Sequence, residues 1–423
     1  MTTVQGKKLD ICVISFVYPT KQRPEHGVFV RNLVEEWIDC GCRVDVIAPV
    51  TLKDFAYDLF RGGFGDAAFP ERVIRPLLLT IPRFDPARVA HNRVLRRSGL
   101  AVLAARWDAF VGRFNSRVIE FSCARAFKRL AGCYDVIYGK FMMQGAAVAA
   151  TLVSKNAHPR AIVCADVGES VDWLREIIEK DRDRLLSICQ RMDSIFCVSS
   201  VHKALLVSLG VDENRIHFAT NTVKACFKPM PRSHCRAVLG LPTDTFLAIF
   251  VGSFCERKGA YRVLDALNGL DLPIGGVFIG RSRGVGLSGS RVVYCGSVIH
   301  QDLPLWLNAA DVMVAPSTNE GNSNAINEAM ACGLPLITSD VTEIREQVPA
   351  VGAVFVDPLD CGQIRAAIAE LFHDRDRLAK MSEVNRISAR AVNEVSRPRK
   401  VLSAIVSKVS SAGGLCGHAG DSV

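Results

Sequence analysis

Short, almost wholly apolar runs alternate with amphipathic stretches through most of this chain, and that alternation limits its fold more than any other feature. Leu9–Tyr18 is a β-rich run. Val28–Asp39 carries Val30, Leu33, Val34, Trp37 and Ile38 at helical spacing, Gly41 closes that helix, and Val44–Ala48 is the next strand. Apolar strands joined by a crossover helix belong to a parallel sheet covered on both faces. The rhythm resumes with strands expected at Asp135–Tyr138, Ala161–Cys164, Ser194–Ser199 and Arg215–Phe218, and helices at Gly145–Val153, Trp173–Arg191 and Val201–Leu209. Near Pro229 it restarts, with strands expected at Phe246–Val251, Gly276–Ile279, Val292–Cys295, Val312–Ala315, Leu336–Thr338 and Ala353–Val356. The fold class is therefore α/β, in two doubly wound domains over 1–225 and 226–410, followed by a small, polar, flexible tail at 411–423. A length of 423 residues agrees, at about 100–200 residues per domain.

Residues 51–133 break the rhythm and read as an insertion. Gly62-Gly63-Phe64-Gly65 and the prolines at 70, 76, 82 and 86 mark irregular chain. From Pro86 to Leu130 the sequence is helical and basic, with ten Lys/Arg against Asp108 and Glu120, and with Phe110, Phe114, Phe121 and Phe127 interleaved. Two readings fit: helices packed on a domain with a solvated basic face, or an interfacial segment drawn to anionic lipid. Over the whole chain Lys+Arg exceed Asp+Glu by 52 − 43 = 9, an excess suited to nucleic acid, an acidic substrate or an anionic membrane face. No nucleic-acid module accompanies it, so nucleic acid is not expected as a partner. Apolar runs such as Gly145–Val153 stop near ten residues, where a membrane-spanning helix needs about 20. The polar start MTTVQGKKLD leads straight into a strand, without the layout of a signal peptide, and the protein is read as cytoplasmic, with peripheral contact at the inner membrane face. Fifteen cysteines are scattered, with Cys40 and Cys42 the one close pair and no Cys-x-x-Cys. Reduced thiols packed as small hydrophobes are expected, and no metal site.

Three loops carry the chemistry. Thr318-Asn-Glu-Gly-Asn-Ser-Asn-Ala-Ile-Asn-Glu-Ala-Met-Ala-Cys-Gly-Leu-Pro335 follows the strand Val312–Ala315 and opens a helix. Gly321 permits close backbone approach, and the N–H groups of a helix start favour a phosphate. Seven residues separate Glu320, placed to accept hydrogen bonds from sugar hydroxyls, from Glu328, placed to reach a ribose. The competing reading is a capped helix whose Asn and Ser do only local work. In Val251-Gly-Ser-Phe-Cys-Glu-Arg-Lys-Gly259 the turn at Gly252 and Ser253 leaves Lys258 near the next helix start, either as a diphosphate partner or as a surface lysine. In Tyr18-Pro-Thr-Lys-Gln-Arg-Pro-Glu-His-Gly-Val-Phe-Val30, His26-Gly27 either brings N–H groups to a phosphate or caps the helix.

Together these segments resemble the family-4 retaining glycosyltransferases of the GT-B fold, in which two Rossmann-like domains face each other across a cleft that holds a nucleotide-sugar. Also similar are Asp193…Val198-Ser199, Gly210…Asn214-Arg215-Ile216…Asn221 and Ala310-Asp311…Pro316-Ser317, and the HGVFVRNLVEEW opening looks like bacterial members that build surface polysaccharides. The resemblance covers most of the chain. It implies that Glu320 holds the donor sugar, Glu328 the ribose, and the backbone of Gly321, Asn322, Ser323 and Asn324 the diphosphate, with Lys258 and Gly27 as further donor contacts. It places the base near Gly296–His300, the acceptor in the first domain and the donor in the second. No metal and no cofactor beyond the nucleotide-sugar is implied.

Three positions depart from the family pattern. Ser253 stands where many relatives have Arg, so Lys258 or Arg257 must supply the cationic contact. Cys164-Ala-Asp-Val-Gly-Glu-Ser170 lacks the usual His; Glu169, rather than Asp166, is taken to stand in for it. Asn221-Thr-Val replaces Asn-Gly-Val. The implied activity is retaining transfer of a sugar to a hydroxyl of a lipid-linked or polysaccharide acceptor, catalysed through Glu320, Lys258 and Glu169. The alternative is a catalytically silent GT-B module serving as a partner in a polysaccharide assembly. Gly284-Val-Gly-Leu-Ser-Gly289 has the spacing of a dinucleotide fingerprint but precedes a strand instead of opening a helix, so no nicotinamide site is assigned.

Overall fold

The computed structural model describes residues 3–4, 7–23, 26–60, 71–80, 100–130, 134–154, 161–281 and 287–411. Their contacts form two compact units. The first takes in residues up to Val167 with Asp183–Phe196 and the chain from Val401; the second takes in Gly168–Arg182 and Cys197–Lys400.

Within the first unit the strands are β1 (Asp10–Ile14), β2 (Arg43–Ile47), β3 (Arg72–Ile74), β4 (Val136–Lys140), β5 (Ile162–Val167) and β6 (Ser194–Cys197). They run in the order β6-β5-β4-β1-β2-β3, and the pairs β1–β2, β1–β4, β2–β3 and β4–β5 are parallel. Helix α1 (Val28–Asp39) joins β1 to β2 and buries Val30, Leu33, Val34 and Trp37, the stripe expected from its period except for Ile38, which is half-buried. Strand β3 lies inside the segment read as an insertion. Three residues followed by Pro76 are too few for a periodic signal, and pairing with β2 supplies what the sequence does not show. The insertion continues as α2 (Leu100–Leu130). Gly62–Gly65, residues 86–99 and the expected tail from 412 lie outside the described residues.

The expected helix Trp173–Arg191 is two, α3 (Val171–Lys180) and α4 (Arg182–Gln190), and the next helix is α5 (Ser200–Leu209). Asp181 interrupts them at φ −147°, ψ 44°, outside the helical region.

The second unit holds β8 (Phe246–Val251), β9 (Ile274–Ile279), β10 (Val292–Gly296), β11 (Val312–Ala315), β12 (Leu336–Ser339) and β13 (Ala353–Val356), with β7 (Ile216–Phe218) preceding them in sequence. Strands β8–β13 form a sheet in the order β10-β9-β8-β11-β12-β13, every pair parallel. Side chains alternate across β8. Phe246, Ala248 and Phe250 enter one apolar cluster, while Leu247 and Ile249 enter another on the opposite face. Burial on both faces is why these strands read as unbroken apolar runs. The reversal of strand order between β8 and β11 is where an open parallel sheet forms its ligand crevice, and both loops after these strands carry motif residues.

The described cysteines are free thiols. Burial pushes the Cys42 and Cys123 thiols up to about 12, so both stay protonated at neutral pH and pack as apolar side chains.

Candidate active site

The loop after β8 and the loop after β11 are bound to each other. Thr318 donates its N–H to the Arg257 carbonyl at 2.9 Å, and Arg257 Nη1 donates to the Asn319 carbonyl at 2.6 Å. Gly259, at φ 78°, is the residue before α6 (Ala260–Asn268). A Cβ there would sit 2.8 Å from the Pro316 carbonyl oxygen, so this approach of the two loops requires glycine.

That contact brings three predicted residues together. Lys258 Nζ donates to Glu320 Oε1, and Arg257 Nη1 stands 3.5 Å from the same oxygen. The Glu320 side chain is 10% exposed and that of Lys258 19%. Two cations thus hold one nearly buried carboxylate in a fixed orientation. Ser253, at the position where the family pattern has Arg, is exposed in the same loop.

Residues 321–324 lead into α7 (Asn324–Ala331). Ser323 is its N-cap residue, and its side chain makes no capping hydrogen bond. A free helix start favours an anion, through the dipole and the unpaired N–H groups of the first turn. The Ser323 N–H is already engaged, donating to Gln347 Oε1 at 3.0 Å. Asn322 is held through its carbonyl and side chain: its carbonyl accepts from Asn221 Nδ2 at 3.2 Å, and its Oδ1 accepts from Asn327 Nδ2 at 2.9 Å. Glu328, one turn into α7, pairs with His300 Nε2 at 2.7 Å, and His300 packs on the Phe227 ring at 5.2 Å.

Glu169 lies beside this loop. Its carbonyl is 2.9 Å from His202 Nε2, while His202 Nδ1 is 2.6 Å from Ser199 Oγ. A Cβ on Gly321 would lie 3.0 Å from the Glu169 carbonyl oxygen and 3.1 Å from His202 Cε1, so Gly321 is packed against this pair. Asp166 is fully buried in the first unit, held by Lys140 Nζ at 2.7 Å and by the Tyr138 hydroxyl at 2.5 Å. Gly27 is also in the first unit, at φ 76°, and precedes α1. A Cβ there would meet the Val17 carbonyl oxygen at 2.4 Å, so the turn admits only glycine.

Sequence reasoning missed His202, Asn327 and Gln347, and named His300 only as the end of the stretch Gly296–His300. Asn327 had a signal in its place within the motif, one turn after Asn324. Gln347 had none, because it stands on the short helix α8 (Thr342–Gln347), beyond the next strand. Gly284 and Gly286 of the discounted fingerprint lie outside the described residues.

Residues 245–374 match the family described as glycosyl transferases group 1. TuaC of Bacillus subtilis, described as a teichuronic acid biosynthesis glycosyltransferase, is 22% identical over 380 residues, covering 87% of this chain and 90% of that protein. The lipopolysaccharide core biosynthesis mannosyltransferase LpsB of Rhizobium meliloti is 26% identical over 223 residues, 46% of this chain and 60% of that protein. Among solved structures, Anabaena HepE in complex with UDP-glucose superposes with a TM-score of 0.65 at 15% identity, over 95% of this chain and all of that one. This likeness places the fold.

Proposed function

We propose that this chain, a nucleotide-sugar-dependent glycosyltransferase of the GT-B fold with a group 1 glycosyl transferase domain at residues 245–374, works with retention of stereochemistry and passes its sugar to a hydroxyl of a lipid-linked or polysaccharide acceptor. The observation that carries the reading is the convergence of Lys258, Arg257 and Glu320 beside a helix start without a side-chain cap. On this reading residues 226–410 take the donor and residues 1–225 the acceptor.

The nucleoside diphosphate leaves the anomeric carbon, the acceptor hydroxyl attacks from the same face, and the departing phosphate takes the hydroxyl proton. Negative charge grows on the diphosphate as the bond breaks. The first turn of α7 and the cations Lys258 and Arg257 stand ready to neutralise it without reorganising. Glu320, oriented by those cations, accepts hydrogen bonds from the sugar hydroxyls. Glu328, held by His300, accepts from the ribose. Glu169 orients the donor or acceptor. Surface-glycan synthesis as the setting is supported by the names of TuaC and LpsB.

Screening UDP, GDP, ADP and their sugars for thermal stabilisation tests the donor reading. One nucleoside diphosphate is expected to raise Tm with concentration, by a linkage worth about 2.7 kcal/mol at one hundred times its Kd. A flat melting curve with all of them sinks it.

The membrane face of the proposal rests on α2. Trp107, Phe110, Phe114 and Phe121 are exposed along one stripe with Arg117, Arg125 and Lys128, whereas Val111, Cys123, Ala126, Phe127 and Leu130 are buried on the other side. Aromatic rings interleaved with cations suit the headgroup region of an anionic bilayer. Among the described residues no helix is long and apolar enough to cross one. Wild-type protein is expected to sediment with phosphatidylglycerol vesicles more than with phosphatidylcholine vesicles, and the double variant Phe114→Ser/Phe121→Ser to lose that preference. Equal partitioning of the wild type between the two vesicle types would remove the role given to this helix.

A further inference from the structure

A network of side-chain amides lies behind the loop 321–324, and Gln347 anchors it. Gln347 Oε1 accepts the Ser323 N–H at 3.0 Å, and its Nε2 donates to the Ser323 carbonyl and to Asn327 Oδ1, both at 2.7 Å. Asn327 Nδ2 passes the chain on, donating to the Asn221 carbonyl at 3.2 Å and to Asn322 Oδ1 at 2.9 Å. Asn221 Nδ2 closes it on the Asn322 carbonyl at 3.2 Å. Each amide in the chain is oriented by the next, because exchanging the O and N of one would set two donors or two acceptors face to face.

The consequence is local. Ser323 is the N-cap residue of α7, yet its own hydroxyl does not cap the helix. Its peptide groups are gripped on both sides instead: the N–H by Gln347, and the carbonyl by Gln347 and by the Asn327 N–H at 3.1 Å. This fixes the plane from which the first turn of α7 starts. It also withdraws the Ser323 N–H from any ligand, leaving the N–H groups that follow it to meet an anion.

We infer that Gln347 is a positioning residue for the donor's diphosphate: without touching it, Gln347 sets the direction of the N–H groups that bind it. The inference rests on the donor reading above and adds a residue from α8, outside the motif. It predicts a loss confined to the phosphates. Gln347→Leu removes three hydrogen bonds at similar volume. Gln347→Glu keeps an acceptor for the Ser323 N–H but turns a carboxylate oxygen on the Ser323 carbonyl and Asn327 Oδ1, and brings negative charge toward the phosphates.

NMR titrations of full-length protein with UDP against uridine, GDP against guanosine and ADP against adenosine measure the effect. In Gln347→Leu, the affinity for the diphosphate that binds wild type is expected to fall about tenfold, the scale of a lost buried hydrogen bond, with nucleoside affinity unchanged. Gln347→Glu is expected to lose more. Asn327→Ala, one bond along the network, should show the same selectivity, so the result does not depend on one variant folding. Equal losses for diphosphate and nucleoside, or no loss of either, overturn the inference alone. Wild-type protein that binds none of the diphosphates overturns the donor reading, and this inference with it.

Discussion

Replacing Glu320 by Ala is expected to abolish sugar transfer, by about a thousandfold or more in kcat, and to leave the protein folded. The carboxylate is on a loop between β11 and α7, so its removal opens no gap in either apolar cluster of the sheet. The stability cost is that of separating it from Lys258 and Arg257, both of which reach water, and is about 1 kcal/mol or less. The chemical cost is larger. On the donor reading the sugar would lose an acceptor for its hydroxyls, and the two cations lose the group that fixes their direction. Glu320→Gln preserves shape but not charge and is expected to be severely impaired as well, which guards against a failure of the Ala variant to fold. The measurement is release of nucleoside diphosphate with donor and acceptor present, beside a circular-dichroism melt. Turnover at the wild-type rate by folded Glu320→Ala protein would show that the site has been placed wrongly.

Asp311→Ala has the largest expected effect on stability, a loss of about 3–5 kcal/mol for the second unit. Asp311 is almost fully buried just before β11. Its Oδ2 accepts from Arg236 Nη2 at 2.7 Å and from the Leu247 N–H at 2.7 Å, and its Oδ1 pairs with Arg232 at 2.7 Å. Arg236 is itself 4% exposed, and its remaining donors go to the carbonyls of Ala309, Pro242, Thr243 and Thr245. Removing the carboxylate leaves a guanidinium in the interior with carbonyls alone, and strands the Leu247 N–H at the start of β8. A buried charge without its counterion is among the costliest defects a fold can carry. Denaturant unfolding would measure it. A change under about 1 kcal/mol would mean that water reaches Arg236 and that the pair is ordinary surface electrostatics.

The second unit was legible almost strand for strand. Phe246–Val251, Val312–Ala315 and Ala353–Val356 have the bounds that their apolar runs predict, because a strand buried on both faces must be apolar at every position. The insertion was less legible. Arg72–Ile74 is a strand only because β2 lies beside it, and the break at Asp181 leaves the charge pattern of Trp173–Arg191 untouched. Asp166 and Glu169, which the sequence presents as alternatives, are separated by burial. Asp166 is locked in the interior by Lys140 and Tyr138, while Glu169 is half-buried with its backbone against Gly321.

Periodicity and the residues of each loop are local quantities, and from them alone followed two parallel sheets and the candidate loops with Glu320, Glu328 and Lys258. Which side chains meet is not local. Lys258 and Glu320 are 62 positions apart, Glu328 and His300 28, Gln347 and Ser323 24, and Asn327 and Asn221 106. The first of those meetings follows from the strand order, which sets β11 beside β8 and so brings the loops at their ends within hydrogen-bonding reach. A hydrogen bond between such distant positions leaves no periodic trace along the chain, so only the folded arrangement could assign the cations to Glu320 and the amide of Gln347 to Ser323.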